Sequence, residues 1–343
     1  MTAVKKFKIP NHLNAAEPAE VRGSSREDVR LLVLDRPTGK VITDHFQRLP
    51  HYLNPGDLVV LNNSRTIPAV LKGTMNLSQS EVRLSRQLSG RQWEAIVLGT
   101  TPPLGTVISF AGGLTAIVTA YGSQSPLLVL TFSKSNLLLL EHFYRIGQPV
   151  RYEYIHEPWP LDAYQTAFAS IPGSVEMPSA GRALSWRMLN LLKEKGIRYA
   201  FLQLHAGLSF YENDIWPDPL KHAEAFCIPA ETARLVNETR RAGGRIIAVG
   251  TTAVRALETA ADTDGTVKPA EGFTNLYIKK GHVLKATDGL LTGLHEPEAS
   301  HLDLLSAFLP EDHLMNAYTY ALEQGFLWHE FGDMNLILNG GIK

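Results

Sequence analysis

Two hydroxyls, a guanidinium and a carboxylate lie close together in Gly250-Thr251-Thr252-Ala-Val-Arg255-Ala-Leu-Glu258, directly after a continuously apolar run, Ile246 to Val249. If a helix begins at this turn, its unpaired N–H groups and positive end would act with the threonines to hold a carboxylate, a phosphate or a sugar hydroxyl. Thr251 or Thr252 could equally serve as a plain helix cap. Arg255 and Glu258, spaced i to i+3, would share a helix face and could grip an anion and a hydroxyl, or form a surface ion pair. His205, in Gln203-Leu-His-Ala-Gly207, could transfer a proton or simply bond a backbone carbonyl. His222 and Glu224 alternate in Lys221-His-Ala-Glu224, which on an extended strand puts both on one side, as an acid/base pair or a solvated polar edge.

These groups need a scaffold, and the chain supplies β-branched runs and helical stretches in alternation. Ile246 to Val249 reads as a strand covered on both faces, broken by Gly250 before a helix. Glu231 to Ala242 reads as the helix before it, closed by Gly243-Gly244. Ser185 to Lys195 is a helix stopped by Gly196, and Ile197 to His205 a strand that would bring His205 to the carboxyl edge of the sheet. Earlier, Arg30 to Asp35 and Lys40 to Asp44 form a hairpin, and Leu58 to Leu61 is a buried strand ending in the polar cluster Asn62-Asn-Ser-Arg-Thr66. The fold class is therefore α/β with a parallel or mixed sheet. From about Ala69 the texture changes to five short strands, Glu81 to Arg86, Trp93 to Leu98, Thr106 to Phe110, Leu114 to Ala120 and Leu127 to Phe132, separated by glycine and proline turns. This is an inserted antiparallel barrel or sandwich, followed by a helix over 136 to 146. The division expected is residues 1–68 with 152–343 as an α/β catalytic domain and 69–151 as the insertion.

At 343 residues, 44% of them hydrophobic, the chain can fill the cores of one large or two moderate domains. A net charge of −1 excludes wholesale electrostatic binding to nucleic acid and leaves room for a local basic patch. The single cysteine, Cys227, excludes an internal disulfide framework and suits a reducing cytoplasm. No apolar run reaches the length of a membrane span, so a cytoplasmic protein is expected. His295-Glu296-Pro297-Glu298, His301, His282, His313 and His329 invite a metal reading, but no ligand spacing matches, and Pro297 would interrupt a helix. We expect no metal, and several of these histidines at the surface. Neither a phosphate-cradling Gly-rich motif nor a Gly-x-Ser-x-Gly elbow is present.

The chain resembles the S-adenosylmethionine:tRNA ribosyltransferase-isomerase family of queuosine biosynthesis over nearly its full length. The resemblance is carried by Arg22-Gly-Ser-Ser-Arg26, Leu31 to Gly39, Asn54 to Pro68, Tyr164-Gln-Thr166, Pro178-Ser-Ala-Gly181, Leu204-His-Ala-Gly207, His222-Ala-Glu224, Val249 to Glu258, Leu305-Ser-Ala-Phe308, Met315-Asn-Ala-Tyr318 and Phe331-Gly-Asp333. It implies an α/β domain interrupted by a small β-barrel. The implied activity moves the ribosyl portion of S-adenosylmethionine onto 7-aminomethyl-7-deazaguanine in tRNA and rearranges it to an epoxycyclopentane, releasing adenine and methionine. S-adenosylmethionine would be the co-substrate and tRNA the partner, with no metal, no membrane and an oligomeric state left open. The resemblance implies that Thr251, Thr252, Arg255 and Glu258 hold the ligand, with Asn63 and Arg65 as further contacts, and that His205, His222 and Glu224 are acid/base partners. The family's Pro-Thr-Ala-Gly-Leu-His-Phe is here Pro178-Ser-Ala-Gly-Arg-Ala-Leu184, with Arg182 and Ala183 at the fifth and sixth places. Its Asp-His-x-x-His-x-Glu is Asp218-Pro-Leu-Lys-His-Ala-Glu224, with Pro219 at the first histidine. The segment after Leu-His-x-Gly is shortened to Leu208-Ser-Phe210, and Thr-Asn-Phe-His-Leu-Pro-x-Ser-Thr is Thr292-Gly-Leu-His-Glu-Pro-Glu-Ala-Ser300. These departures admit two alternatives: a paralogue acting on S-adenosylmethionine or another nucleoside without tRNA, and a ligand-binding protein without catalysis.

Overall fold

The computed structural model describes residues 7–340 apart from 24, 212–214 and 297–299. Its centre is a nine-stranded mixed sheet. Four parallel strands occupy the middle, in the order Arg198–Leu204, Leu58–Asn62, Ile246–Val249 and Gly289–Gly293. Antiparallel Glu224–Ile228 and then Ala270–Thr274 extend one edge. On the other side Met334–Leu338 runs antiparallel to Gly289–Gly293 and parallel to Arg30–Asp35, and Val41–His45 closes that edge as a hairpin partner.

Leu58 to Leu61 and Ile246–Val249 are apolar at every position because both faces are covered. Leu58, Val60, Ile246 and Ala248 enter one core, while Val59, Leu61, Ile247 and Val249 enter the other. The first core is built with helices Ala230–Arg241, Thr251–Ala260 and Glu311–Glu323, the second with Trp186–Glu194. Ser185 caps that last helix, accepting the Met188 N–H at 3.1 Å. The strand containing Glu224 begins at that residue, so His222 precedes it in irregular chain rather than alternating along it.

The insertion is a closed barrel of six antiparallel strands, which settles the choice between barrel and sandwich. The sixth strand, Val70–Met75, is absent from the sequence reading because Lys72-Gly73 breaks its apolar pattern. Gly73 is required there: a Cβ would lie 2.9 Å from Ile108 and Phe110. Helix Asn136–Ile146 sets Phe143 edge-on to Trp93 and Phe132 at 5.6 and 5.4 Å. Val70 and Gln148 exchange two 2.9 Å backbone hydrogen bonds at the neck of the insertion. The barrel core also takes in Val175, Leu208 and Tyr211, so barrel and α/β sheet share a packed boundary.

Asp57 ties the starts of two central strands together. It accepts from the Arg245 backbone N–H at 3.0 Å and guanidinium Nη2 at 2.7 Å, and from the Asn54 N–H at 2.8 Å. Its side chain is 3% exposed and that of Arg245 17%. Asp57→Ala leaves these donors unanswered and should lower the unfolding free energy in urea by about 3–5 kcal/mol; a loss below ~1 kcal/mol would show that the pair behaves as a surface bridge.

Candidate active site

Gly250 takes φ 85° and ψ 154°, and its Cα approaches Ala180 so closely that a Cβ would sit 3.2 Å from the Ala180 methyl. The turn then starts helix Thr251–Ala260, whose N-terminus no side chain caps. This corrects the capping role considered for Thr251 or Thr252: both face a cavity, and the Thr252 hydroxyl accepts from Asn62 Nδ2 at 3.1 Å. Asn62 also donates to the Leu204 carbonyl at 2.8 Å and accepts the Ser64 and Leu204 N–H groups at 3.0 and 3.1 Å. One buried amide thus joins the carboxyl ends of strands Leu58–Asn62 and Arg198–Leu204 to the threonine turn.

Arg255 does not pair with Glu258. Its Nη1 pairs with Glu224 Oε2 and its Nε donates to the Leu276 carbonyl at 3.1 Å, so two neighbouring segments hold the guanidinium at the cavity wall. Glu224 also accepts the Gly207 N–H at 3.1 Å. Glu258 points away from the cavity and is buried, accepting the Lys285 and Ala286 N–H groups at 2.8 and 3.0 Å and the Thr287 hydroxyl at 2.5 Å. It organises the loop before Gly289–Gly293, a duty invisible in the i to i+3 spacing.

His222 lines the cavity; burial lowers its pKa against the pull of Glu224, and its Nε2 has no hydrogen-bond partner. His205 is placed differently from the expectation. Its ring packs against Gly173, its Nδ1 lies 2.7 Å from Ser64 Oγ, and only its neighbours Ala206 and Gly207 line the cavity. Asn63 binds Ser170 and Gln203 side chains at 3.1 and 2.9 Å, and neither it nor Arg65 lines the cavity; the neighbouring Asn62 reaches the threonines instead.

The cavity has a volume of about 580 Å³. Its far wall was not foreseen. Glu176 accepts from the Tyr152 hydroxyl and from the Ser209 N–H at 2.7 Å, and Glu330 accepts from the Tyr154 hydroxyl. Tyr154 stacks on His329 at 4.2 Å, and His329 Nδ1 lies 2.9 Å from Glu296 Oε1. Burial would raise Glu296, but the hydrogen bond and charge of His329 bring it down to about 2. Burial pushes Glu176 up to about 7, holds His295 down to about 4 and keeps His301 well below the usual imidazole range. His295, His301 and His329 therefore line the cavity instead of the surface. Among the described residues no group of three or more His, Cys, Asp or Glu is set to hold a metal, and Pro297 and Glu298 lie outside those residues.

The motif departures divide by location. Ala183 packs in the second sheet core, and Arg182 donates to the Ala163 carbonyl at 2.9 Å, pairs with Glu20 and covers the Phe331 ring. Neither lines the cavity, whereas Pro219 and Leu208 to Phe210 do.

A mixed sheet with an inserted closed barrel, and a cavity at the carboxyl ends of its central strands, define an α/β protein with a barrel insertion and a ligand-sized site. Residues 3–337 match the family model described as queuosine biosynthesis protein, and the chain belongs to that family. Proteins named S-adenosylmethionine:tRNA ribosyltransferase-isomerase from Symbiobacterium thermophilum and Thermoanaerobacter sp. are 37% and 34% identical to it, each match covering 97% of this chain and 98% of the relative. The crystal structure of an S-adenosylmethionine tRNA ribosyltransferase from Thermotoga maritima aligns at a TM-score of 0.55 with 29% identity, over 98% of this chain and 100% of that one.

Two outcomes follow from the placement of the carboxylates. Glu258→Gln turns a donor toward groups that already donate, and should cost about 1–3 kcal/mol in chemical denaturation while leaving ligand affinity in the cavity unchanged; altered affinity at full folding would return Glu258 to the site. A glutamate near 4.5 when unfolded and near 7 when folded binds an extra proton in the native state, so Glu176 costs stability progressively as pH rises through that window. Melting of Glu176→Gln against the parent should therefore show no gain at pH 4 and a gain growing to about 1–3 kcal/mol by pH 8. A difference independent of pH would refute the raised pKa.

Proposed function

We propose that this chain is an S-adenosylmethionine:tRNA ribosyltransferase-isomerase: it transfers the ribosyl portion of S-adenosylmethionine to 7-aminomethyl-7-deazaguanine in tRNA and rearranges it to the epoxycyclopentane, with adenine and methionine leaving. Full-length membership of the queuosine biosynthesis family carries the reading, and the cavity supports it. The chemistry asks for a purine-sized space, a holder for ribose hydroxyls and a carboxylate, and a base for the acidic proton beside the sulfonium. The uncapped helix N-terminus at Thr251-Thr252, with Arg255 one turn on, suits oxygens of the ligand. His222 is the preferred base: it lines the cavity, its lowered pKa keeps the imidazole neutral near pH 7, and Nε2, packed against Gly207, has no hydrogen-bond partner. Glu224 orients Arg255, and His205, bonded to Ser64, acts as a positioning residue behind the cavity wall.

The purified protein, given S-adenosylmethionine and tRNA carrying the 7-aminomethyl base, should release adenine and methionine, read by mass spectrometry. Release in the absence of tRNA would favour the tRNA-independent paralogue; absence of release despite calorimetric binding would overturn the catalytic assignment. Arg255→Ala should weaken S-adenosylmethionine binding by about 1.5–3 kcal/mol. Unchanged affinity in the folded variant would remove Arg255 from the site.

A further inference from the structure

The cavity is lined by two chemically different groups of side chains, and the proposed reading uses only the one around the threonine turn. In the other, Glu176 and Glu330 are each held by a tyrosine hydroxyl, and the rings of Tyr152 and Tyr154 lie nearly parallel with centroids 6.3 Å apart. The two carboxylates are close enough for the charge of Glu330 to act on Glu176. Among the described residues no ion pair joins a lysine or arginine to either; the charge of His329 opposes that of Glu330, and His329 is already engaged by Glu296. Two half-buried carboxylates in one cavity disfavour each other's ionised form, and a cation between them favours both charges again.

A second observation points the same way. Tyr164 is 4% exposed and lines the same cavity, yet its hydroxyl has no hydrogen-bond partner. The charge of Glu330 reaches this phenol as well, opposed by the more weakly acting Arg151 and Arg182. An unanswered buried hydroxyl costs as much as a lost hydrogen bond, and its oxygen is able to accept from a donor placed there. Two carboxylates and a phenol oxygen offer acceptors to the three N–H groups of a primary ammonium, with aromatic faces alongside that favour a cation. A sulfonium, which has no N–H, would leave them unanswered.

We infer that Glu176, Glu330 and Tyr164 form a subsite for an aliphatic primary ammonium group of the substrate. This rests on the proposed reaction, whose two substrates each carry such a group: the aminomethyl arm of the tRNA base and the α-amino group of S-adenosylmethionine. Arg255 lines the same cavity, so a ligand filling it meets the guanidinium with an anionic or hydroxyl part and the carboxylates with its ammonium.

The test compares the full chain with its Glu176→Gln/Glu330→Gln variant, melting curves confirming that both are folded and the two single variants serving where the double is not. Calorimetry measures S-adenosylmethionine against its analogue lacking the α-amino group, and, at fixed salt, tRNA bearing the 7-aminomethyl base against the same tRNA with guanine. The parent should prefer the amine-bearing member of one pair by tenfold or more. The variant should lose that preference while binding the amine-free member as the parent does, and the pair in which the preference collapses identifies the source of the ammonium. A preference that survives in the variant, its absence from both pairs in the parent, or an equal loss for both members of each pair overturns the subsite. Adenine release by the parent is read separately. An ammonium preference without turnover removes the proposed reaction and keeps the subsite; turnover without the preference does the reverse.

Discussion

The buried side-chain amide of Asn62 is the junction on which the site depends. Its carbonyl oxygen fixes where Ser64 and Leu204 leave their strands, and its NH2 group fixes the Leu204 carbonyl and the Thr252 hydroxyl. Parallel strands present unpaired backbone groups where they end, and here one side chain answers several of them at once. Because those bonds define the directions of three departing segments, the chain toward the barrel, the His205 segment and the threonine turn diverge around a space instead of collapsing into it. An apolar residue of similar size would fill the volume and leave buried polar groups unanswered.

The surrounding packing keeps that space open. The barrel core draws in Val175, Leu208 and Tyr211, and the cavity-lining Glu176, Ser209 and Phe210 sit next to them in the chain. The polar wall is therefore backed by hydrophobic contacts made with the insertion. The interior carries both signs: Arg255 and an uncapped helix N-terminus line it together with tyrosine-bound carboxylates. Low accessibility amplifies both fields, as seen in the opposite shifts of Glu296 and Glu176, two glutamates lining one cavity whose neighbours differ in charge.

Local pattern gave away the elements with strong periodicity or sharp punctuation. The Ile246–Val249 strand, its break at Gly250 and the helix after it were legible because a β-branched run, a glycine and a helix former each leave only one economical conformation. The barrel was legible as a change of texture, although Val70–Met75 escaped because its inward positions include a glycine. Pairings between distant segments were not legible. The spacing of Arg255 and Glu258 is compatible with a helical pair, yet Glu224 and the loop at Lys285 to Thr287 claim them separately. Asn62 and Asn63 are indistinguishable in composition, and only the alternation of a strand end decides which turns inward. Histidines 295, 301 and 329 looked solvated because no periodic apolar context surrounds them; tertiary packing buries His329 and half-buries the other two along the cavity wall. Ala183, at the place of the histidine in the family motif, is part of the core.

The order of strands in the sheet also bears on how the molecule comes together during synthesis. The hairpin Arg30–His45 touches the sheet through Met334–Leu338, which inserts between it and Gly289–Gly293. A segment made early thus waits for one made some three hundred residues later before its outer edge is joined to the rest. Non-local closure of this kind is slow, and until it happens the hairpin and the strand Gly289–Gly293 each expose an unpaired backbone edge. The barrel, whose ends meet at Val70 and Gln148, has no such wait and can close while the ribosome is still at work. The chain is in effect buttoned from the inside out, its tail serving as the last fastening.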